Sequence, residues 1–150
     1  MTPKNIRLNP PTTFLQAEKR GDYNISADMK AVWAIELDMV TQLLEVCNRH
    51  NLRIYADGGT LLGAIRHKGY IPWDDDLDLM IPRASYEKLI ALCKAGELGV
   101  KYEIDTPSRD ADCKNPYLKI YRKNTLDVEL YCEDMPFPVG IFIDIFPMDN

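Results

Sequence analysis

The stretch from Asp57 to Arg83, DGGTLLGAIRHKGYIPWDDDLDLMIPR, constrains this chain more than any other. Two adjacent glycines open a short helical segment, a basic run and a proline turn follow, and a row of carboxylates leads into an apolar strand. Gly58 and Gly59 allow the backbone to approach a partner with no side chain between, and Thr60 is positioned to serve as an N-cap hydroxyl. A helix start with free amides favours phosphate. Asp76 and Asp78 are two residues apart, so on a strand their side chains leave one face roughly 6–7 Å apart. Leu77 and Leu79 then point to the opposite face, and Met80 and Ile81 complete the apolar run. Converging carboxylates suit hard cations, and the whole has the layout of a metal-dependent phosphoryl-transfer site. Pro72 breaks any helix continuing from Thr60.

Competing motifs fail on spacing. A dinucleotide fingerprint needs glycine where Thr60 stands, and a Walker A loop needs Gly-Lys followed by Ser or Thr, which is absent. A calcium loop starting at Asp74 needs glycine at the place of Leu79 and glutamate at that of Ser85. An acidic cluster alone reads as a solvated turn. The glycine pair and a further carboxylate at Asp144 weigh against that reading.

The residues Gly58-Gly59-Thr60-Leu61-Leu62-Gly63, Arg66-His67-Lys68-Gly69 and Ile71-Pro72-Trp73-Asp74-Asp75-Asp76 with Asp78 resemble the LicD family. That family is similar to the nucleotidyltransferase superfamily and includes bacterial phosphocholine transferases and fukutin-type ribitol-phosphate transferases. Lys119-Ile120 with Thr125 resembles a second block, and Ile143 to Asp149 (IDIFPMD) a third. The resemblance implies an α+β fold, a nucleotidyltransferase-like mixed β-sheet flanked by helices. It also implies transfer of phosphocholine or a related substituted phosphate from a CDP-linked donor to a hydroxyl of a cell-surface glycan or its precursor, such as lipopolysaccharide or teichoic acid.

On this reading Asp76, Asp78 and Asp144 are catalytic and hold magnesium or manganese. The amides of Gly58, Gly59 and Thr60 bind phosphoryl oxygens, while Arg66 or Lys119 neutralises charge on the departing CMP. Asp74 and Asp75 are expected to form the turn or support the metal ligands, His67 to be structural, and Trp73 to anchor packing, with stacking on a base as its alternative. Two other function classes stay open: a non-catalytic nucleotide- or phosphate-binding module, and a nucleotidyltransferase acting on a small molecule. The stretch from Arg66 to Asp76 speaks against the latter.

The 150 residues suit one domain, able to bury roughly 68–70% of the surface its unfolded chain exposes. The sequence stops at Asn150, directly after the third block, so a domain incomplete at its C-terminus is expected. The formal charge of −5, with basic residues scattered, argues against nucleic acid. Bound cations could still reverse the local field for an anionic nucleotide. Cys47, Cys93, Cys113 and Cys132 form no C-x-x-C pair, so neither disulfide nor zinc is expected. With no signal-peptide core and no membrane span, a cytoplasmic location is expected.

Residues 1–24, rich in proline, threonine and charge, read as an extended arm, and 25–150 as the domain proper. Ser26 caps a long helix to about His50, whose apolar stripe includes Trp33 and packs on the sheet. Further strands are expected at Leu52–Ala56, Val100–Ile104, Tyr117–Arg122, Thr125–Glu129 and Ile141–Phe146. A helix around Tyr86, Leu89, Ile90 and Leu92 ends near Gly96, and Leu61, Leu62, Ala64 and Ile65 carry the glycine-started helix into the core.

Overall fold

The computed structural model describes residues 11–107, 116–125 and 140–149. It is an α+β fold: a mixed five-stranded sheet with helices on it, and a small antiparallel hairpin beside them. After a 3-10 turn at Thr12–Leu15 come β1 (Glu18–Arg20), β2 (Tyr23–Ile25), α1 (Ala27–Arg49), β3 (Tyr55–Ala56) and α2 (Gly58–Arg66). Then follow β4 (Asp78–Pro82), α3 (Arg83–Lys94), β5 (Tyr102–Asp105), β6 (Leu118–Arg122) and β7 (Phe142–Met148). The sheet order is β3-β4-β7-β6-β5, antiparallel throughout except for the parallel pair β4 and β7.

Alternation along the strands gives the sheet two unlike faces. Leu79, Ile81, Leu118, Ile120, Ile143 and Ile145 are buried on one, against Met39, Leu43, Val46 and Cys47 of α1 and Tyr86, Leu89 and Cys93 of α3. Register places Asp78 opposite Asp144, Asp144 opposite Lys119, and Lys119 opposite Asp105, so the other face carries a row of charges. Apolar burial, the main driving force, is thus satisfied on one side, which leaves the other for polar groups.

Helix α1 begins as its sequence predicts: the Ser26 hydroxyl accepts from the Met29 amide at 3.0 Å, and His50 is the C-cap. Cys47 and Cys93 are buried free thiols whose pKa values burial pushes up to about 11 and about 12, in keeping with inert core. Thr125 fastens the second sequence block to the third, donating to the Arg122 carbonyl at 2.7 Å and accepting from the Ile141 amide at 2.9 Å. Of the strand expected at Thr125–Glu129, residues 126–129 lie outside the described residues, as do Cys113 and Cys132.

Four expectations need correction. The region read as an extended arm carries the 3-10 turn and the β1–β2 hairpin, tied to α1 where buried Lys30 meets Glu18 at 3.0 Å and lies 4.1 Å from the Phe14 ring centre. The strand expected at Leu52–Ala56 shrinks to Tyr55–Ala56, which pairs only at the edge with β4. Asp76 is not on a strand: the Asp74 amide closes a turn onto the Ile71 carbonyl at 3.0 Å, and the ladder starts at Asp78. Finally, Leu61, Leu62 and Ile65 are exposed instead of core. Helix α2 docks by its backbone: a Cβ on buried Gly63 would stand 2.5 Å from the Gly69 carbonyl oxygen. That close approach leaves its larger apolar side chains facing outward.

Candidate active site

The carboxylates gather where the N-terminus of α2 meets the C-terminal end of the Ile71–Leu77 loop. Asp57, extended at φ −131°, is the N-cap of α2, and its amide donates to the Asp78 carbonyl at 3.0 Å. Thr60, expected as the cap, is inside the helix. Its hydroxyl accepts from the Asp78 amide at 2.8 Å, so helix start and strand start are pinned together. The Asp78 carboxylate in turn accepts from the Gly59 amide. A helix N-terminus attracts an anion, and the protein's own carboxylate takes that position here.

The glycine pair has a steric reason beyond ligand approach. A Cβ at Gly58 would meet the Asp78 Oδ2 at 2.5 Å, and one at Gly59 would meet the Asp74 Oδ2 at 2.6 Å. Gly58 also has φ +46°, a left-handed conformation that costs L-residues dearly. The space beside both glycines is therefore taken by carboxylates.

Ligand oxygens of Asp74, Asp75 and Asp76 all lie within 4.8 Å of one another. Asp74 and Asp75, expected as supporting groups, thus stand with Asp76 in one cluster. Burial, then the charges of Asp78, Asp74 and Asp75, push the Asp76 carboxyl up to about 6, opposed by Lys119. Asp74 is also raised, by burial and then by Asp75 and Asp78; Asp78 is raised by burial, against the Gly59 hydrogen bond. Carboxylates crowded until ionisation becomes costly fit a divalent cation, and an all-oxygen donor set suits magnesium or manganese.

Asp144 is brought alongside Asp78 by the parallel register, and its amide donates to the Leu77 carbonyl at 2.9 Å. It is buried and forms an ion pair with equally buried Lys119 at 3.7 Å. Lys119 also lies 3.4 Å from the Phe142 ring centre. It is buried, so the structure does not set it out as an open contact for a leaving group, while its charge acts on Asp76 and Asp78. Arg66 is exposed at the C-terminal end of α2, with Nε donating to His67 Nε2 at 2.8 Å.

A cavity of about 300 Å³ adjoins the acidic loop, lined by Phe14, Trp33, Tyr70 and Leu77 with Asp74, Asp76 and Gly59. Trp33 and Tyr70 stack at 4.6 Å with planes 8° apart. Buried Trp33 does more than pack, because its indole N–H donates to the Asp74 carbonyl at 2.8 Å and holds the acidic loop against α1. A buried indole needs such an acceptor, which is the one signal the sequence carried for it. Tyr70 was not singled out by sequence at all; burial, reinforced by the Glu36 charge, keeps its hydroxyl protonated. Trp73, expected as a packing anchor, is 57% exposed, and the neighbouring Pro72 is the buried one.

Comparison with known proteins agrees with this architecture. Residues 51–148 match the family described as LicD/FKTN/FKRP, nucleotidyltransferase domain. A segment of 54 residues, 36% of the chain, is 43% identical to the lipopolysaccharide cholinephosphotransferase LicD of Haemophilus influenzae, covering 20% of that protein. A segment of 108 residues, 70% of the chain, is 51% identical to an uncharacterized protein of Rickettsia typhi, covering 31% of it. The chain thus spans less than a third of either relative. With a match running from just before β3 through β7, the chain belongs to the LicD/FKTN/FKRP nucleotidyltransferase-domain family.

Proposed function

We propose that this protein transfers phosphocholine or a related substituted phosphate from a CDP-linked donor to a hydroxyl of a cell-surface glycan or its precursor, acting in the cytoplasm. The observation that carries the reading is the gathering of Asp74, Asp75 and Asp76 next to the Asp78–Asp144 register pair, at a helix start. Membership of the family and similarity to a relative named as a lipopolysaccharide cholinephosphotransferase supply the substrate class.

In the reaction the acceptor hydroxyl oxygen bonds to the phosphorus carrying the substituent. The bond from that phosphorus to the bridging oxygen breaks, and CMP leaves with the oxygen. A carboxylate of the cluster takes the hydroxyl proton. Asp76, Asp78 and Asp144 would hold magnesium or manganese, with Asp74 and Asp75 in reach. Such a cation, when bound, supplies neutralisation of the diphosphate and polarisation of the transferred group. Lys119 pairs with Asp144 and limits the net negative charge of the cluster. Trp33 and Thr60 hold the loop and the strand start in place, so the carboxylates need little reorganisation on binding.

The test is incubation of the protein with magnesium, CDP-choline or CDP-ribitol, and lipopolysaccharide- or teichoic-acid-type acceptors, reading CMP release. Release that requires both acceptor and magnesium, and stops in EDTA, is expected. Metal-dependent binding of the donor without release under any acceptor would replace transfer by a binding role.

A further inference from the structure

We propose that the groove between the β1–β2 hairpin and the chain joining α2 to β4 is a nucleotide subsite, in which Trp73 stacks on the base, Tyr23 borders it and Arg66 meets a phosphate. The inference rests on the nucleotide-linked donor proposed above and adds where its base lies. The groove encloses about 660 Å³ and is separate from the aromatic cavity beside the acidic loop, with Arg20 lining both.

Its chemistry is that of a site for a planar anion. Trp73 is 57% exposed and Tyr23 is 40% exposed. Tyr23 and His67 each meet Trp73 edge-on, with ring centres 5.8 Å apart, so neither covers it by stacking. The indole remains accessible. Arg66 spends Nε on His67 Nε2, which orients the guanidinium and leaves its terminal nitrogens as donors. Arg20 is fixed by Glu18 at 2.6 Å and by the Tyr70 carbonyl at 3.3 Å, which holds its guanidinium in the wall with part of its charge offset by Glu18. Against these cations the lining offers one carboxylate, Asp22. A neutral sugar ring could also stack on the indole, but the cationic lining favours a base joined to phosphate.

Position supports the same assignment. Trp73 directly precedes Asp74, one peptide from the carboxylate cluster. A base stacked there lies one residue along the chain from the carboxylates that would take the metal. Tyr23, Arg20 and Asp22 lie outside the 51–148 segment that matches the family, so this hairpin would set the chain's own base preference.

The experiment is titration with CMP in EDTA, following tryptophan fluorescence and heat of binding, for wild type, Trp73→Ala and Arg66→Gln. Ribose 5-phosphate and a neutral oligosaccharide are the comparison ligands. The chain has two tryptophans, and Trp33 is fully buried, so quenching absent from Trp73→Ala belongs to Trp73. Both substituted side chains are exposed, so the fold should survive, and either variant suffices. CMP should quench wild type, ribose 5-phosphate should bind more weakly, and Trp73→Ala should lose at least about 5-fold in affinity. Equal CMP affinity in wild type and both variants overturns the subsite while the CDP-donor reading stands. Quenching by the oligosaccharide and not by CMP also overturns it, making the groove an acceptor site. Absence of both CMP binding and CMP release in wild type removes the donor reading as well.

Discussion

Asp78 and Asp144 are register partners across the only parallel pair of the described sheet, β4 and β7, so two carboxylates remote in sequence leave the same face side by side. Nothing in local chain propensity brings them together; the crossover through α3, β5 and β6 does. Removing either charge while keeping the side chain's shape should therefore disable the same event. Asp78→Asn and Asp144→Asn are each expected to reduce magnesium-dependent CMP release by more than the roughly 10–100-fold that loss of an outer-shell partner costs. Circular dichroism should show the fold retained, and calorimetry should show weaker magnesium binding in both. Wild-type magnesium affinity in the two folded variants would remove them from the metal site.

The glycines give a second prediction, because the clashes they avoid are with named oxygens. Gly59→Ala puts a methyl where the Asp74 Oδ2 stands, so it should push that carboxylate out of the cluster and weaken manganese binding. Gly58→Ala meets the Asp78 Oδ2 and also carries a left-handed φ, adding roughly 1–2 kcal/mol of destabilisation. Thermal unfolding should rank wild type above Gly59→Ala and Gly59→Ala above Gly58→Ala. Alanine tolerated at both positions without loss of metal affinity would show that the carboxylates occupy other places in solution.

What the sequence revealed and what it hid divide along a physical line. The α1 boundaries were legible because the Ser26 cap and the apolar spacing are local, whereas Asp144 was singled out through the resemblance of Ile143 to Asp149 to a family block, and its place beside Asp78 is set by sheet register. Leu61, Leu62 and Ile65 misled because α2 docks by backbone at Gly63, a contact with no apolar signature. Asp76 was placed on a strand because two-residue spacing cannot distinguish a pleat from the turn closed by Asp74 onto Ile71. The hairpin with Arg20 and Tyr23 was hidden for another reason: a short polar segment shortly after Pro10 and Pro11 shows no period, and its place beside the loop is set by tertiary contacts with Lys30 and Tyr70.

A third prediction concerns Lys119. It and Asp144 are each about 95% buried and 3.7 Å apart, so truncating the lysine removes the cation paired with a buried anion. Lys119→Met should cost about 3–5 kcal/mol in urea unfolding, the range seen when one partner of a buried pair is removed. Adding Asp144→Asn should recover much of that loss although it removes a second charged group. Magnesium should stabilise Lys119→Met more than wild type, since the cation replaces the missing charge. A Lys119→Met protein as stable as wild type would show that the pair does not hold this part of the sheet.

The last prediction follows from Asp76, whose carboxyl is pushed up to about 6 by burial and then by Asp78, Asp74 and Asp75. In the unfolded chain an aspartate titrates near ~3.9, so between those values the folded protein binds more protons than the unfolded one. Stability contributed by this group is therefore fully present below the unfolded value and is lost as pH rises through about 6. In EDTA, Asp76→Asn should unfold at nearly the wild-type temperature at pH 3.5, because a protonated carboxyl and an amide are alike in charge. Above pH 6 the variant should be the more stable protein, since wild type then carries an ionised group among three like charges. Magnesium should narrow that gap by stabilising wild type selectively. Differential melting of the two proteins across pH, with and without the cation, reads all three effects. A difference that does not change with pH would mean that Asp76 is not crowded by its neighbours.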